Sequence, residues 1–321
     1  MRFLNLAILV PCLLRGGDDF DLLGRIDSAN RSIARNQFQK AIDDLLPAVR
    51  LGKRQEVSEQ ALRAALIDLG HAYRMLGRCH DATGALTEAM RYRERGYVPL
   101  DQARVAGINL LASYLECGAS KAAARFWTRT LAAMALKFDS LSPDLATVLA
   151  TGALVQEVRK QYADSEELWA RAIQIWEREP GINQDKITAA RSNRAVARAS
   201  LGRMKEAIGD AEESLGELAR TNRLEPPAQA VALNNIAVVY LMDRRFDRAG
   251  DCLERAVAIV NRTTVRSAPE ILANYAFLMR KTGRREAANA AQFRADELAS
   301  QRARASVGQT VDIGGFKASL R

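Results

Sequence analysis

Two histidines, four cysteines and eight prolines are spread over 321 residues, and aromatic side chains supply 6% of the chain. Each scarcity removes a class of protein. His71 and His80 have no Ser, Cys or metal-ligand partner at a recognisable spacing, so neither acid–base nor zinc chemistry is signalled. Cys79, Cys117 and Cys252 form an odd, sparse set without a C-x-x-C pair; they read as small buried hydrophobes on helices. No glycine-rich phosphate loop is present, because 51-LGKR-54 lacks the upstream glycine. The expectation is a protein with no catalytic constellation, no cofactor and no metal. Few aromatics, few prolines and abundant alanine favour close-packed helices over strands, which want β-branched and aromatic residues.

Charge of one sign is not concentrated anywhere. The net charge of +9 divides into +3 for residues 1–100, +2 for 101–200 and +4 for 201–321, with Lys and Arg alternating with Asp and Glu. A phosphate-binding surface needs clustered cations, so nucleic acid is not an expected partner. Long hydrophobic runs are missing as well. Phe3–Leu14 is apolar and follows Arg2, as in a secretory signal, but it falls short of the ~20 residues that span a bilayer. Leu14-Arg15-Gly16 is a poor cleavage site, and Pro11 before Cys12 departs from lipoprotein signals. Two readings of residues 1–17 stay open: an export signal, or an apolar N-terminal segment of a cytosolic protein. The tail, 305–321, breaks helical pattern at Gly308, Gly314 and Gly315 and reads as flexible or extended.

What fills the remaining 18–304 is repetition. Small residues recur at Ala41, Ala82, Ala123, Ser165, Ala207, Ala249 and Ala288, at separations of 41, 41, 42, 42, 42 and 39. Seven residues after each stands another small or short side chain: Ala48, Ala89, Thr130, Ala172, Ser214, Ala256 and Ala295. Five residues before it a turn is expected, with Gly77, Gly118, Gly202 and Gly283 in four of the seven places. Ahead of each turn, positions four, seven, eight and eleven of a first helix form one apolar stripe, as in Leu66, Leu69, Gly70 and Tyr73. One such helix pair cannot enclose its apolar face, so neighbours must stack, and a constant period of this length means a solenoid. Pro143, Pro180, Pro226-Pro227 and Pro269 mark the starts of new units. Ser28 and Ser32 in the first unit, and Gln292 and Asp296 in the last, replace apolar residues as terminal caps would.

These residues resemble the tetratricopeptide repeat (TPR). Leu69-Gly70-x-x-Tyr73-x-x-x-Gly77 with Ala82, Leu86 and Ala89 matches its pattern, as do Ile236-Ala237-x-x-Tyr240 with Phe246, Ala249, Leu253 and Ala256. Trp127 and Trp169 take the large-residue position of the second helix. The unit exceeds the usual length of about 34 and is similar to the longer repeats of kinesin light chains. Gln156 and Arg198 stand where Tyr is expected, and Leu111 where a small residue is expected, so those units are expected to pack less regularly. The resemblance implies an all-α, right-handed superhelix of about seven helix pairs.

The side of each first helix opposite its packing stripe then lines the concave channel. Position six there reads Asp27, Asp68, Asn109, Thr151, Asn193, Asn235 and Asn274, and position nine reads Asn30, His71, Ala112, Leu154, Val196, Val238 and Phe277. Asparagine is a mediocre helix former, so four at one site invite a reason. The series resembles the asparagine ladder of peptide-binding TPR superhelices, in which carboxamides grip an extended backbone. It is equally read as a set of bonds between adjacent first helices. His71, Arg280 and Lys281 are candidate ligand-facing groups beside Asp68, Asn109, Asn193, Asn235 and Asn274. The implied function is a non-enzymatic scaffold for a protein or extended peptide; the alternative is a structural module that self-assembles through convex or end surfaces. Antiparallel packing also brings Cys79 and Cys117 to one edge, where they would pair under oxidising conditions.

Overall fold

In a computed structural model, described for residues 17–54, 59–91, 100–131, 141–221 and 224–307, the chain is all helix. Among the described residues there are fourteen helices and no strand. The apolar N-terminal run and the tail beyond 307 lie outside the described residues. Contacts divide the chain after Leu131. The first unit holds α1 (Gly17–Ala34), α2 (Phe38–Arg54), α3 (Glu59–Met75), α4 (Cys79–Arg91), α5 (Leu100–Glu116) and α6 (Ser120–Phe126), which continues as a π-helical turn, Trp127–Leu131. The second holds α7 (Pro143–Val158), α8 (Tyr162–Trp176), α9 (Pro180–Ser200), α10 (Met204–Arg220), α11 (Pro226–Met242), α12 (Phe246–Val260), α13 (Ala268–Lys281) and α14 (Arg285–Val307). None of the described helices is long and apolar enough to cross a membrane.

The helices come as seven pairs, each closed by the same turn. A residue with φ between 58° and 78° ends every first helix: Asn36, Gly77, Gly118, Lys160, Gly202, Arg244 and Gly283. In each case the next amide reaches back to the position-eleven carbonyl, as Arg78 N does to Tyr73 O (2.9 Å) and Arg245 N to Tyr240 O (2.8 Å). The left-handed residue's own amide bonds one residue further on, as Gly202 N does to Ala199 O at 3.0 Å. This is a Schellman closure, which satisfies carbonyls a helix end would otherwise leave bare. Glycine meets its φ requirement without a Cβ penalty. Asn36, Lys160 and Arg244 meet it at a cost, so the turn is fixed by the pair and not by the residue. New pairs start as the prolines indicate, with Pro143, Pro180, Pro226 and Pro269 in the first turns of α7, α9, α11 and α13. Ser142 also caps α7, its side chain accepting from Asp144 N.

The small residues of the second helices are where the pairs touch. Ala41, Ala82, Ala123, Ser165, Ala207, Ala249 and Ala288 are all fully buried. A larger side chain at these positions would hold the helices apart. The same constraint operates from the first helix at Gly70, where an added Cβ would lie 2.4 Å from Leu86 Cγ. Packed around these contacts are the stripe residues, among them Leu66, Leu69 and Tyr73 in the first unit, and Leu233, Ile236, Ala237 and Tyr240 in the second. Neighbouring pairs continue the core: α2 packs on α3, α4 on α5, α8 on α9 and α12 on α13.

One pair breaks the apolar rule in an orderly way. On α9 the stripe positions four, seven and eleven are Arg191, Arg194 and Arg198. Arg194 holds Asp210 of α10 in a two-point bond (2.8 and 2.7 Å), and Arg198 bonds both Asp210 (2.9 Å) and Glu166 of α8 (3.1 Å). Arg191 pairs with Glu177 and Glu213. Asp210 is buried, and its cost of desolvation is offset by these two guanidinium groups. The aliphatic core of the second unit is divided here. One cluster of buried residues ends at Ile187 and Ala190, the next begins at Ala195, and the charged seam lies between them. A smaller exchange occurs on α7, where Gln156 donates to Asp164 (3.0 Å) while Glu157 accepts from Trp169 Nε1 (2.8 Å). The irregular packing expected of these units is a substitution of polar pairing for apolar packing.

The turns give a direct test. Gly202→Ala, with a left-handed φ of 77°, should lower unfolding free energy by about 1 kcal/mol. Gly209→Ala, in the open middle of α10 with nothing within 4 Å, should raise it by about 0.5–1 kcal/mol. Urea denaturation of both variants reads the difference in sign.

Candidate functional site

With one helical stripe committed to packing, the opposite stripe of each first helix stays accessible. Positions six, nine and thirteen lie within about 60° of one another around the helix axis. In the second unit position nine presents Leu154, 37% exposed, and Phe277, 43% exposed, with Val196 and Val238 half-buried between them. Position thirteen adds Val158 and Met242, at 53% and 46%. Exposed large hydrophobic residues are uncommon on helices whose apolar stripe is already satisfied, and here they share one face. Polar position-six residues run beside them: the half-buried Asn193, Asn235 and Asn274, and Thr151, which is buried.

The polar residues are held, not loose. Asn235 Nδ2 donates to Asn193 Oδ1 across the repeat boundary (2.7 Å), and Asn193 Nδ2 donates to the Ala189 carbonyl (3.1 Å). Asn274 Nδ2 donates at 2.9 Å to Oδ1 of Asn234, the residue one before the expected ladder position. Thr151 donates to the Thr147 carbonyl at 2.7 Å. These bonds tie α9, α11 and α13 together, so the carboxamides do serve adjacent first helices. A carboxamide has two N–H donors and two acceptor lone pairs, and each bonded group above retains capacity toward a ligand. At the end of α13, Arg280 bonds Gln292 Oε1 (3.1 Å), and the Lys281 ammonium sits 5.4 Å from the Phe277 ring centroid. Both are exposed, and both lie at the C-terminal end of the helix, which favours cations.

The first unit carries the corresponding positions in a different chemistry. Asp68 keeps some solvent contact, yet burial raises its carboxyl from 3.8 to about 7. Near neutrality it is therefore protonated much of the time, and a protonated carboxyl donates a hydrogen bond as an asparagine does. His71 is pushed down to about 4, first by burial and next by the nearby Arg74 charge, against a hydrogen bond with Asn109 that raises it. It stays a neutral imidazole at physiological pH, edge-on to the Phe38 ring at 6.1 Å. The His71–Asn109 bond spans neighbouring repeats as Asn235–Asn193 does. Asp27, at the same position of α1, is exposed and paired with Arg31.

The edge at which the sequence places Cys79 and Cys117 together holds a second cluster, and only its third member, His80, was not apparent in the sequence. Cys79 opens α4 and Cys117 follows the end of α5; their Cα atoms are 5.7 Å apart and the two are joined as a disulfide. His80 places Nδ1 3.4 Å from Cys117 Sγ. Sequence spacing gave His80 no partner because Cys117 approaches only through the packing of α4 on α5. Cys252 is a buried free thiol, with burial raising it to about 11.

Comparison with known proteins agrees with the helix-pair fold. Residues 229–264, which take in most of α11 and all of α12, match the tetratricopeptide repeat family. No curated protein matches the sequence at a significant level. Among solved structures, a tetratricopeptide repeat protein of Parabacteroides merdae is similar, with 15% identity over 89% of this chain and 98% of that one, at a TM-score of 0.60. BtubC (BKLC) of P. vanneervenii is 19% identical over 75% of this chain and 91% of its own, at 0.54. The Rap conjugation gene regulator of plasmid pLS20, solved in complex with the Phr* peptide, is 13% identical over 96% of this chain and 82% of its own, at 0.67. At these identities the likeness is one of fold.

The shifted carboxyl predicts a pH dependence. Because the folded pKa of Asp68 exceeds the unfolded one, its stabilising share is present below about pH 4 and is lost as pH rises through about 7. Asp68→Asn should match the wild type in urea stability near pH 4. By pH 8 it should exceed it by about 1–3 kcal/mol, a figure reduced for the remaining solvent contact. A difference that does not change with pH would show the carboxyl to be unperturbed.

Proposed function

We propose that this tetratricopeptide-repeat protein is a peptide-binding scaffold, and that the accessible face of its first helices is where an extended chain lies. The observation that carries the reading is the pairing, on that one face, of exposed Leu154, Val158, Met242 and Phe277 with the polar series Thr151, Asn193, Asn235 and Asn274. Apolar side chains offer contact area to alternate residues of an extended peptide, while carboxamides fixed by their own hydrogen bonds bind its backbone. Backbone recognition of this kind is largely independent of the peptide's side chains. Each added hydrogen bond contributes about 0.5–1.5 kcal/mol net. Several of them with apolar burial reach the ~8 kcal/mol of micromolar binding.

The similar Rap regulator, solved with a peptide, supports the same use of the fold. Arg280 and Lys281 at the end of α13 fit a carboxylate of the bound chain, and Asp68, His71 and Asn109 offer the first unit's counterpart of the polar series. Within this reading no residue performs chemistry. Self-assembly through outer or end surfaces has less behind it: among the described residues Ile182 and Phe293 are the most exposed large apolar side chains, and each stands singly on its helix, which is ordinary for a protein surface.

Peptides selected from a random display library against the wild-type protein test the proposal. Replacing Asn193, Asn235 and Asn274 together by Ala should weaken the selected peptides at least about tenfold by fluorescence anisotropy. Helicity by circular dichroism should be retained. Unchanged affinity in a still-helical triple variant would remove the face from consideration, and concentration-dependent light scattering without peptide binding would favour self-assembly.

A further inference from the structure

We propose that reduction of the Cys79–Cys117 disulfide opens a binding site for one zinc(II) ion, formed by the two thiolates and the His80 imidazole. One ligand atom from each of the three residues lies within 4.8 Å of the others. Zinc holds thiolate sulfur at about 2.3 Å and imidazole nitrogen at about 2.0–2.1 Å in a tetrahedron, which separates a nitrogen and a sulfur by about 3.5 Å. His80 Nδ1 and Cys117 Sγ are already 3.4 Å apart. The sulfurs need only move from bonded contact to the wider spacing of two ligands, which side-chain rotation allows with the Cα atoms at 5.7 Å.

The placement of the three donors is fixed by the fold. Cys79 and His80 form the first turn of α4, and Cys117 belongs to the turn that closes α5, held by its amide bond to the Ser113 carbonyl (2.9 Å). Cys79 is buried and His80 is exposed, so the site has a protected sulfur side and an open imidazole side. That leaves the fourth zinc position to water or to a group from a partner. Three protein ligands and one open position are the pattern of zinc sites that exchange ligands, in contrast to closed four-ligand structural sites.

Oxidation state and metal are then mutually exclusive. An external dithiol supplies two electrons and two protons to the Cys79–Cys117 bond and is itself oxidised to a disulfide; Cys117, the more accessible sulfur, is the one attacked. Zinc binding displaces the two thiol protons to solvent. In either state the same two residues link α4 to α5, by a covalent bond when oxidised and through the ion when reduced.

Cobalt(II) reports the site, because thiolate coordination gives a charge-transfer absorption that carboxylates and imidazole alone do not. The full-length protein, reduced with a phosphine and freed of metal, should take up one cobalt ion with that absorption and lose it to one equivalent of zinc. The oxidised protein should show none. His80→Ala, at an exposed position that leaves folding intact by circular dichroism, should weaken zinc at least about tenfold in chelator competition, and Cys252→Ser should change nothing. The proposal is overturned by a reduced wild type without thiolate absorption, by a His80→Ala variant of undiminished affinity, or by loss of the signal in Cys252→Ser.

Discussion

Close approach of two helices at a side chain no larger than alanine or serine is the constraint on which this structure rests. It recurs at Ala41, Ala82, Ala123, Ser165, Ala207, Ala249 and Ala288, each without solvent exposure. Where the second helix comes this near, the bulky residues of the first helix, such as Leu233, Ile236 and Tyr240, must pack above and below the contact. That packing commits one stripe of the first helix and leaves a second stripe on the next pair's side to be covered. The order of the chain, pair after pair at nearly constant spacing, follows from this single geometric requirement. So does the accessible face, since the positions left over are those that the packing stripes do not use.

Within that frame the core tolerates chemistry that a purely apolar account would reject. Three arginines occupy the packing stripe of α9, and the fold accommodates them because α8 and α10 bring Glu166 and Asp210 to the same seam. Asp210 is bonded to two guanidinium groups, those of Arg194 and Arg198. A seam of this kind allows fewer registers than interchangeable aliphatic contacts, because displacing it by a turn would leave several charges unpaired. The accessible face shows the same economy: its carboxamides fasten one repeat to the next and keep unused donor and acceptor capacity.

Much of this was legible in the sequence, because small residues at a constant spacing report backbone separation directly. The period, the seven pairs, the helix starts at proline and the polar series at position six were all readable from residue types. Three things were not. Asn36, Lys160 and Arg244 adopt the left-handed turn that glycine signals elsewhere, since the closing hydrogen bonds and the following helix impose it. Arg198 of α9 looked like a departure from pattern, since the carboxylates it bonds, Asp210 and Glu166, lie 12 and 32 residues away and share no local spacing with it. The approach of His80 to Cys117 depends on how α4 meets α5, which residue spacing does not encode. The asparagine bonds also differ in detail: Asn274 reaches Asn234 instead of Asn235, at the step where the ladder spacing falls from 42 residues to 39.

The central claim is that small residues on the second helices set the distance between the helices of each pair. It is tested most directly by a matched pair of substitutions on α12, followed by urea denaturation. Ala249 is buried in the contact, whereas Ala258, on the same helix, is exposed. Ala249→Leu should cost about 1–3 kcal/mol of stability through overpacking, and Ala258→Leu should be near neutral. Equal stability of the two variants would contradict the account.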